Sequence, residues 1–329
     1  MLNNCDNGEL ITFPYDLDEV RDMNKFVWRC GYISQEKKYQ TETYESNYSV
    51  TNLSYHYSSR ILACGGEAYS VDIVNRTEKD FAPMNLQSGA EKINSIAFSH
   101  DGLLVAGGGS DNCLYIWSTS GCFLLSLSGH TKSIWSVSWS SKGYIVSGSL
   151  DGNVCIWDPS CGKALLTVAG KSPVRSVCYS PDGCKIAWAS EDCITRIWEG
   201  GCEEDVRCFE EHSSCGECVV FHPDNVRLST SAMDGTIRIL DSKLLTCLIQ
   251  LTGHNNSVLS LSFSPCGFFL ASASNDMSIR IWDTNSGECV ENLEGHNGPV
   301  TSVVFTGPNE LISTSSDKTM KIWTLSNMK

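Results

Sequence analysis

A tryptophan returns at nearly even intervals through most of this chain, at Trp117, Trp157, Trp198, Trp282 and Trp323, with Leu240 in the one slot that lacks it. The steps are 40 to 42 residues. Six positions before each of these residues stands an aspartate: Asp111, Asp151, Asp192, Asp234, Asp276 and Asp317. A fixed period of this length marks one supersecondary unit repeated in tandem, and that narrows the possible folds more than anything else in the sequence.

The unit is clearest over 270–296. In Ser278-Ile279-Arg280-Ile281-Trp282-Asp283 the isoleucines fall on alternate residues, the period of a strand with one buried face. Asn275-Asp276 ahead of it and Asn285-Ser286-Gly287 behind it are turn chemistry. Upstream, Val258-Leu259-Ser260-Leu261-Ser262-Phe263 reads as another strand, and downstream Cys289-Val290-Glu291-Asn292-Leu293 reads as a fourth, ending at Gly295-His296. One repeat is therefore four short antiparallel strands. The Gly-His pair recurs at Gly129-His130 and Gly253-His254, and degrades to Gly170-Lys171 and Glu211-His212.

These landmarks, together at fixed offsets over about residues 38–329, resemble those of WD40 repeats. The resemblance implies an all-β, seven-bladed β-propeller. It also implies that His, Ser, Asp and Trp of a repeat form a buried hydrogen-bonded chain with a structural purpose, since a buried carboxylate and indole N–H need partners. Three repeats carry the full set: His130, Ser147, Asp151 and Trp157; His254, Ser272, Asp276 and Trp282; His296, Ser313, Asp317 and Trp323. A catalytic reading of these Ser, His and Asp residues is set aside on that ground.

A degenerate first unit precedes them. Val50-Thr51-Asn52-Leu53-Ser54-Tyr55 is its first strand, 60–64 its second and Tyr69-Ser70-Val71-Asp72-Ile73 its third, with Asp72 assigned to the Trp position. That makes seven third strands. The last unit stops six residues after Trp323, without a fourth strand. Lys38-Tyr39-Gln40-Thr41-Glu42-Thr43-Tyr44 stands just where a fourth strand should, so the N-terminal segment is expected to complete the last sheet and close the ring. The domain reading is a propeller over 38–329 with an N-terminal extension over 1–37. The extension holds Phe13, Tyr15, Val20, Met23, Phe26, Val27 and Trp28, too many apolar residues for plain disorder, and a short helix over 17–28 is expected there.

The formal net charge of −14 argues against direct binding to nucleic acid or an anionic membrane. No leader or spanning apolar run is visible, which points to cytoplasm or nucleus. The 17 cysteines read as reduced thiols. Cys215-x-x-Cys218, with Cys202 and Cys208 nearby, has metal-ligand spacing, but Cys218 falls in a slot filled elsewhere by Ser95, Ser136, Ser176, Ser260 and Ser302, where a small residue is wanted. No metal or cofactor is expected. Gly107-Gly108-Gly109 lies in a second strand and opens no helix, so it is not a phosphate loop. No GxSxG or HExxH motif is present. An enzyme with carboxylates converging in the channel is the remote alternative.

The resemblance also indicates where partners dock. Two positions per unit point onto the face formed by fourth-to-first and second-to-third connections. The first set is Thr51, Asn94, Trp135, Arg175, Glu217, Leu259 and Thr301; the second is Gly65, Ser110, Leu150, Glu191, Met233, Asn275 and Ser316. Units three to six carry Trp135, Leu150, Arg175, Glu191, Glu217, Met233 and Leu259, whereas the others carry small or polar residues. Trp with Leu, Met and Arg is the composition of a binding hot spot. The expected function is a non-enzymatic protein-interaction scaffold that docks a peptide or loop there as a subunit of a larger complex. Glu191 and Glu217 beside Trp135 favour a basic-apolar segment. The alternative is a substrate receptor of a ubiquitin ligase. Relatives in that role often carry Arg two residues after the Asp of Trp-Asp, and Trp157-Asp158-Pro159-Ser160 and Trp282-Asp283-Thr284-Asn285 lack it.

Overall fold

The computed structural model describes residues 30–34, 39–46, 48–67, 70–76, 83–87, 92–200, 205–210 and 212–326. The helix expected over 17–28 lies outside them. Among the described residues there is no α-helix, and none long and apolar enough to cross a membrane. The strands form seven antiparallel sheets. Six are contiguous four-stranded meanders, here blades 1 to 6, over 50–87, 93–128, 134–169, 174–210, 216–251 and 258–294.

Blade 7 is assembled from both ends of the described chain. Val300–Gly307, Glu310–Ser315 and Thr319–Leu325 supply its inner three strands, and Tyr39–Glu45 its fourth. The pairing is unbroken from Tyr39 opposite Leu325 to Glu45 opposite Thr319. Tyr39 and Tyr44 are both buried. The Tyr39 ring meets Trp323 edge-on at 5.3 Å, and its hydroxyl donates to the Glu294 carbonyl of blade 6 at 3.2 Å. A fifth strand, Cys30–Ser34, pairs outside Tyr39–Glu45 with a bulge between Gly31 and Ser34. This covers the edge that the borrowed strand would otherwise leave open.

The core lies between blades. Ile279, Ile281 and Leu293 of blade 6 pack on Val300, Val303 and Trp323 of blade 7, and Ile312, Met320 and Ile322 of blade 7 pack on Val50, Leu53 and Leu62 of blade 1. The second contact closes the ring. Second strands such as Ile145–Ser149 are buried along their whole length because both of their faces meet a neighbouring sheet.

Around the channel a polar girdle joins each innermost strand to the next. Asn52 accepts from Ile96 N–H at 3.0 Å, Ser95 from Val137 at 3.1 Å, Ser136 from Val177 at 3.0 Å and Ser176 from Val219 at 3.1 Å. Ser260 accepts from Val303 at 3.2 Å and Ser302 from Leu53 at 3.2 Å, making six hydrogen-bonded links, and Cys218 occupies the seventh slot, where the Leu261 N–H favours its thiolate against burial. The slot wants a small side chain with an acceptor on its first polar atom. Cys218 meets that need, which accounts for a cysteine at this place without any metal.

Candidate interaction face

Every innermost strand carries a register shift between its first and third residues. The residue in between is bulged, and a bulge turns its side chain out of the pleat alternation. Those residues are Thr51, Asn94, Trp135, Arg175, Glu217, Leu259 and Thr301, all on one rim of the channel. Beside each stands the first residue of the turn after the second strand, whose N–H donates back across the loop: Leu150 to Ser133 at 3.1 Å, Glu191 to Pro173 at 3.0 Å and Met233 to Cys215 at 3.0 Å. In blade 1 that bond runs from Glu67 to Ser49, so Glu67 and not Gly65 belongs to the set. Gly65 is buried within its strand, and the space for a Cβ there is filled by Ile96.

The two sides of this rim differ. Asn94 donates to the Ile134 carbonyl at 2.9 Å and Thr301 to the Val50 carbonyl at 2.8 Å, so both are tied to the next blade. Trp135, by contrast, is 36 % exposed, and the Arg175 guanidinium lies over its ring at 4.2 Å. Arg175 Nε donates to Glu191 Oε1 at 2.9 Å, with Nη2 at 2.6 Å from the same oxygen. Indole, guanidinium and carboxylate thus form one stack. This corrects the simple picture of two glutamates flanking an open Trp135 ring: the cation on that face of the ring is the chain's own. Glu217 is the carboxylate left over. Burial pushes its carboxyl up, Arg175 opposes, and Glu191 pushes it further up. Met233 is 45 % exposed, while Leu150 and Leu259 are half-buried in the same two registers.

Beneath the rim, three blades carry a four-membered polar chain. In blade 6, His254 Nδ1 is 2.8 Å from Asp276, its Nε2 is 2.7 Å from Ser272 Oγ, and Trp282 Nε1 donates to that same oxygen at 2.8 Å. In blade 3 the distances are 2.9, 2.7 and 2.8 Å through His130, Asp151, Ser147 and Trp157. In blade 7 they are 3.2, 2.8 and 2.8 Å through His296, Asp317, Ser313 and Trp323. The histidine rings are buried, and each aspartate also accepts a backbone N–H from the residue after the histidine. The histidine, serine and indole polar atoms of each chain are satisfied within it, and Asp276 and His296 also border a cavity of about 200 Å³ between blades 6 and 7.

A profile of the WD domain, G-beta repeat, matches residues 84–118, 121–158, 162–199, 203–241, 245–283 and 287–324. The chain belongs to the WD40-repeat family. Of blade 1 the profile reaches only the fourth strand, Met84–Gln87, and the structure supplies the other three. The chain is 28% identical over 60% of its length to Pre-mRNA-processing factor 19 homolog 2 of Arabidopsis thaliana, covering 38% of that protein. It is 26% identical over 59% of its length to Autophagy-related protein 16 of the same plant, again covering 38%. With F-box-like/WD repeat-containing protein TBL1X of Mus musculus it shares 29% identity over 41% of its length and 26% of the relative's. The chain therefore spans well under half the length of these relatives.

Four blades of this WD40 ring replace the polar chain. In blade 1 the strand pairing sets Cys64 opposite Asp72 and Leu62 opposite Val74, so Val74, not Asp72, stands where other blades have Trp. Asp72 is a buried carboxyl held by the Tyr48 hydroxyl and by Asn85 at 2.9 Å. Burial pushes its pKa up against those two hydrogen bonds. In blade 2 the Ser position is Gly107, so Trp117 donates instead to the Gln87 carbonyl at 3.0 Å while Tyr115 bonds Asp111. Blade 5 keeps His212, 2.9 Å from Thr230, but Leu240 has no N–H to offer. Blade 4 has Trp188 in the Ser position, with no acceptor for its buried indole N–H, and Arg196 bonded to Asp192 at 3.1 and 2.5 Å.

Proposed function

We propose that this WD40 ring is a non-enzymatic interaction scaffold, and that the rim of blades 3 to 6 docks a peptide or loop of a partner protein through a basic residue flanked by apolar ones. The observation that carries the reading is the imbalance at the Trp135 stack. One guanidinium faces two carboxylates, and Glu217 is the one without a hydrogen-bonded cation of its own among the described residues. A lysine or arginine arriving beside Glu217 supplies the missing charge in a half-buried place, where pairing is worth more than at open surface. Met233 and the outer face of Trp135 offer apolar contact next to it, the arrangement of a hot spot inside a drier ring. The names of the relatives, among them a pre-mRNA-processing factor and an F-box-like protein, fit work inside assemblies. The ligase-receptor alternative draws on the F-box-like relative alone.

The test is to isolate native partners with the full chain and with a Trp135→Ala, Glu217→Lys double variant of unchanged melting temperature. Loss of a specific subset of partners is expected, together with stronger retention of Lys/Arg-containing than of acidic peptides by the parent chain. An identical partner list for both proteins would remove this rim from the account.

A further inference from the structure

The opposite mouth of the channel has different chemistry. Each innermost strand has an aromatic residue at its sixth position: Tyr55, Phe98, Trp139, Tyr179, Phe221, Phe263 and Phe305. The four phenylalanines are buried between blades. The three with a polar tip, Tyr55, Trp139 and Tyr179, are half-exposed and line a cavity of about 420 Å³ at this mouth. That lies within the range of about 300–1,000 Å³ found for ligand sites. Tyr57 leans over one side of it, edge-on to Tyr55 at 5.3 Å and anchored by its hydroxyl to the Phe305 carbonyl at 2.8 Å.

Two properties define what would fit. Although the chain carries a net charge of −14, the cavity lining contains no Asp, Glu, Lys or Arg. Its polar groups are hydroxyls, two histidines and one indole. Donors also remain there: Trp139 Nε1 is buried without an acceptor, and the Tyr179 hydroxyl makes no hydrogen bond among the described residues. A neutral concave floor of aromatic faces with spare donors matches an uncharged segment that brings flat apolar rings and free carbonyls. A polyproline II helix has both, because its backbone forms no internal hydrogen bonds and its carbonyls stay outward.

We propose that this mouth is a second docking site, for a proline-rich, uncharged peptide segment of a partner. Prolyl rings lie on Trp139 and Tyr179. One carbonyl accepts from the Tyr179 O–H, and another from the Trp139 N–H once the indole turns toward it.

The test uses the full chain and four capped decapeptides: decaproline, the same peptide with alternate alanines, the same with two lysines, and the same with two glutamates. Decaproline is expected to bind saturably by calorimetry, with the alanine and charged peptides weaker. Tyr179→Phe keeps the ring and removes the hydroxyl, Trp139→Phe removes the N–H and leaves a smaller aromatic face, and phenylalanine already serves at this position in other blades. Each should weaken decaproline binding about five-fold, the effect of one hydrogen bond of about 1 kcal/mol. Trp135→Ala on the far rim should leave it unchanged. Absence of saturable decaproline binding, equal binding of the charged peptides, or binding indifferent to both Phe variants would each overturn the assignment.

Discussion

Blades 6 and 4 have the same four strands and solve the same problem in different ways. Both must seat an aspartate at the turn after the second strand and fill the space below it. Blade 6 does so with Asp276, His254, Ser272 and Trp282, each the partner of the next. Burial would raise the Asp276 carboxyl, but hydrogen bonds from His254, Ser278 and the Asn255 N–H hold it well below the usual carboxylate range. Blade 4 gives up the chain. Lys171 replaces the histidine with a left-handed backbone, Trp188 fills the serine's place, and the Asp192–Arg196 pair does what remains. The difference teaches that the fold requires a filled, satisfied wedge under the turn and tolerates several chemistries for it. Blade 4 is also where Arg175 and Glu191 build the candidate rim.

The largest effect expected is from removing the anchor of the complete chain. Trp282 is 2 % exposed and packs on Val258, Leu261 and Leu270. Trp282→Ala should cost about 3–5 kcal/mol in denaturant unfolding, by lost transfer and by the cavity left behind. A loss under about 1 kcal/mol would mean that the wedge is not what holds blade 6.

Blade 5 is intermediate, with a histidine but no tryptophan, and it sharpens the comparison through pH. Burial pushes the His212 imidazole down to about 4, Arg238 pushes it the same way, and Asp234 opposes them. Burial also lowers His296, against its bond to Asp317. A base whose folded pKa is depressed takes its proton more readily when unfolded. The stability is therefore complete above about pH 6.5 and lost as pH falls toward 4, by up to roughly 3 kcal/mol for His212. Unfolding midpoints between pH 7 and 4.5 should fall steadily, and His212→Gln should flatten the slope. The low carboxyls of Asp276 and Asp317 act only below about pH 4 and do not share this window.

Much of this was legible in the sequence, and the reasons are local. Seven third strands, the borrowed closing strand and the rim registers all follow from fixed offsets, and offsets survive wherever the turn Asp and the Trp are kept. They mislead where those landmarks are missing. Blade 1 has no Trp to fix its third strand, so the assignment of Asp72 falls two residues out of register, and Gly65 stands in place of Glu67. The stack of Arg175 on Trp135 could not be read at all, because it joins bulges in neighbouring blades and depends on side-chain direction. The channel girdle left a trace, the serine slot that also holds Cys218, but its purpose needs the neighbouring backbone N–H.

Ser272→Ala is a finer probe of the polar chain than loss of the indole. It removes one hydroxyl and leaves His254 Nε2 and Trp282 Nε1 buried without their partner. That should cost about 2 kcal/mol, within the range of about 1–3 kcal/mol for an orphaned buried group. The smallest effect belongs to blade 4. Trp188 is fully buried, yet its Nε1 already lacks an acceptor, so its indole contributes packing and a desolvation penalty together. Trp188→Phe removes the orphan donor and some volume, two terms of opposite sign and similar size. The net change should lie within about 1 kcal/mol of zero, against the several kcal/mol expected for Trp282→Ala. Should Trp188→Phe instead cost as much as Ser272→Ala, the indole N–H of blade 4 must have a partner, and the two blades would be variations on one hydrogen-bonded scheme rather than two solutions to one packing problem.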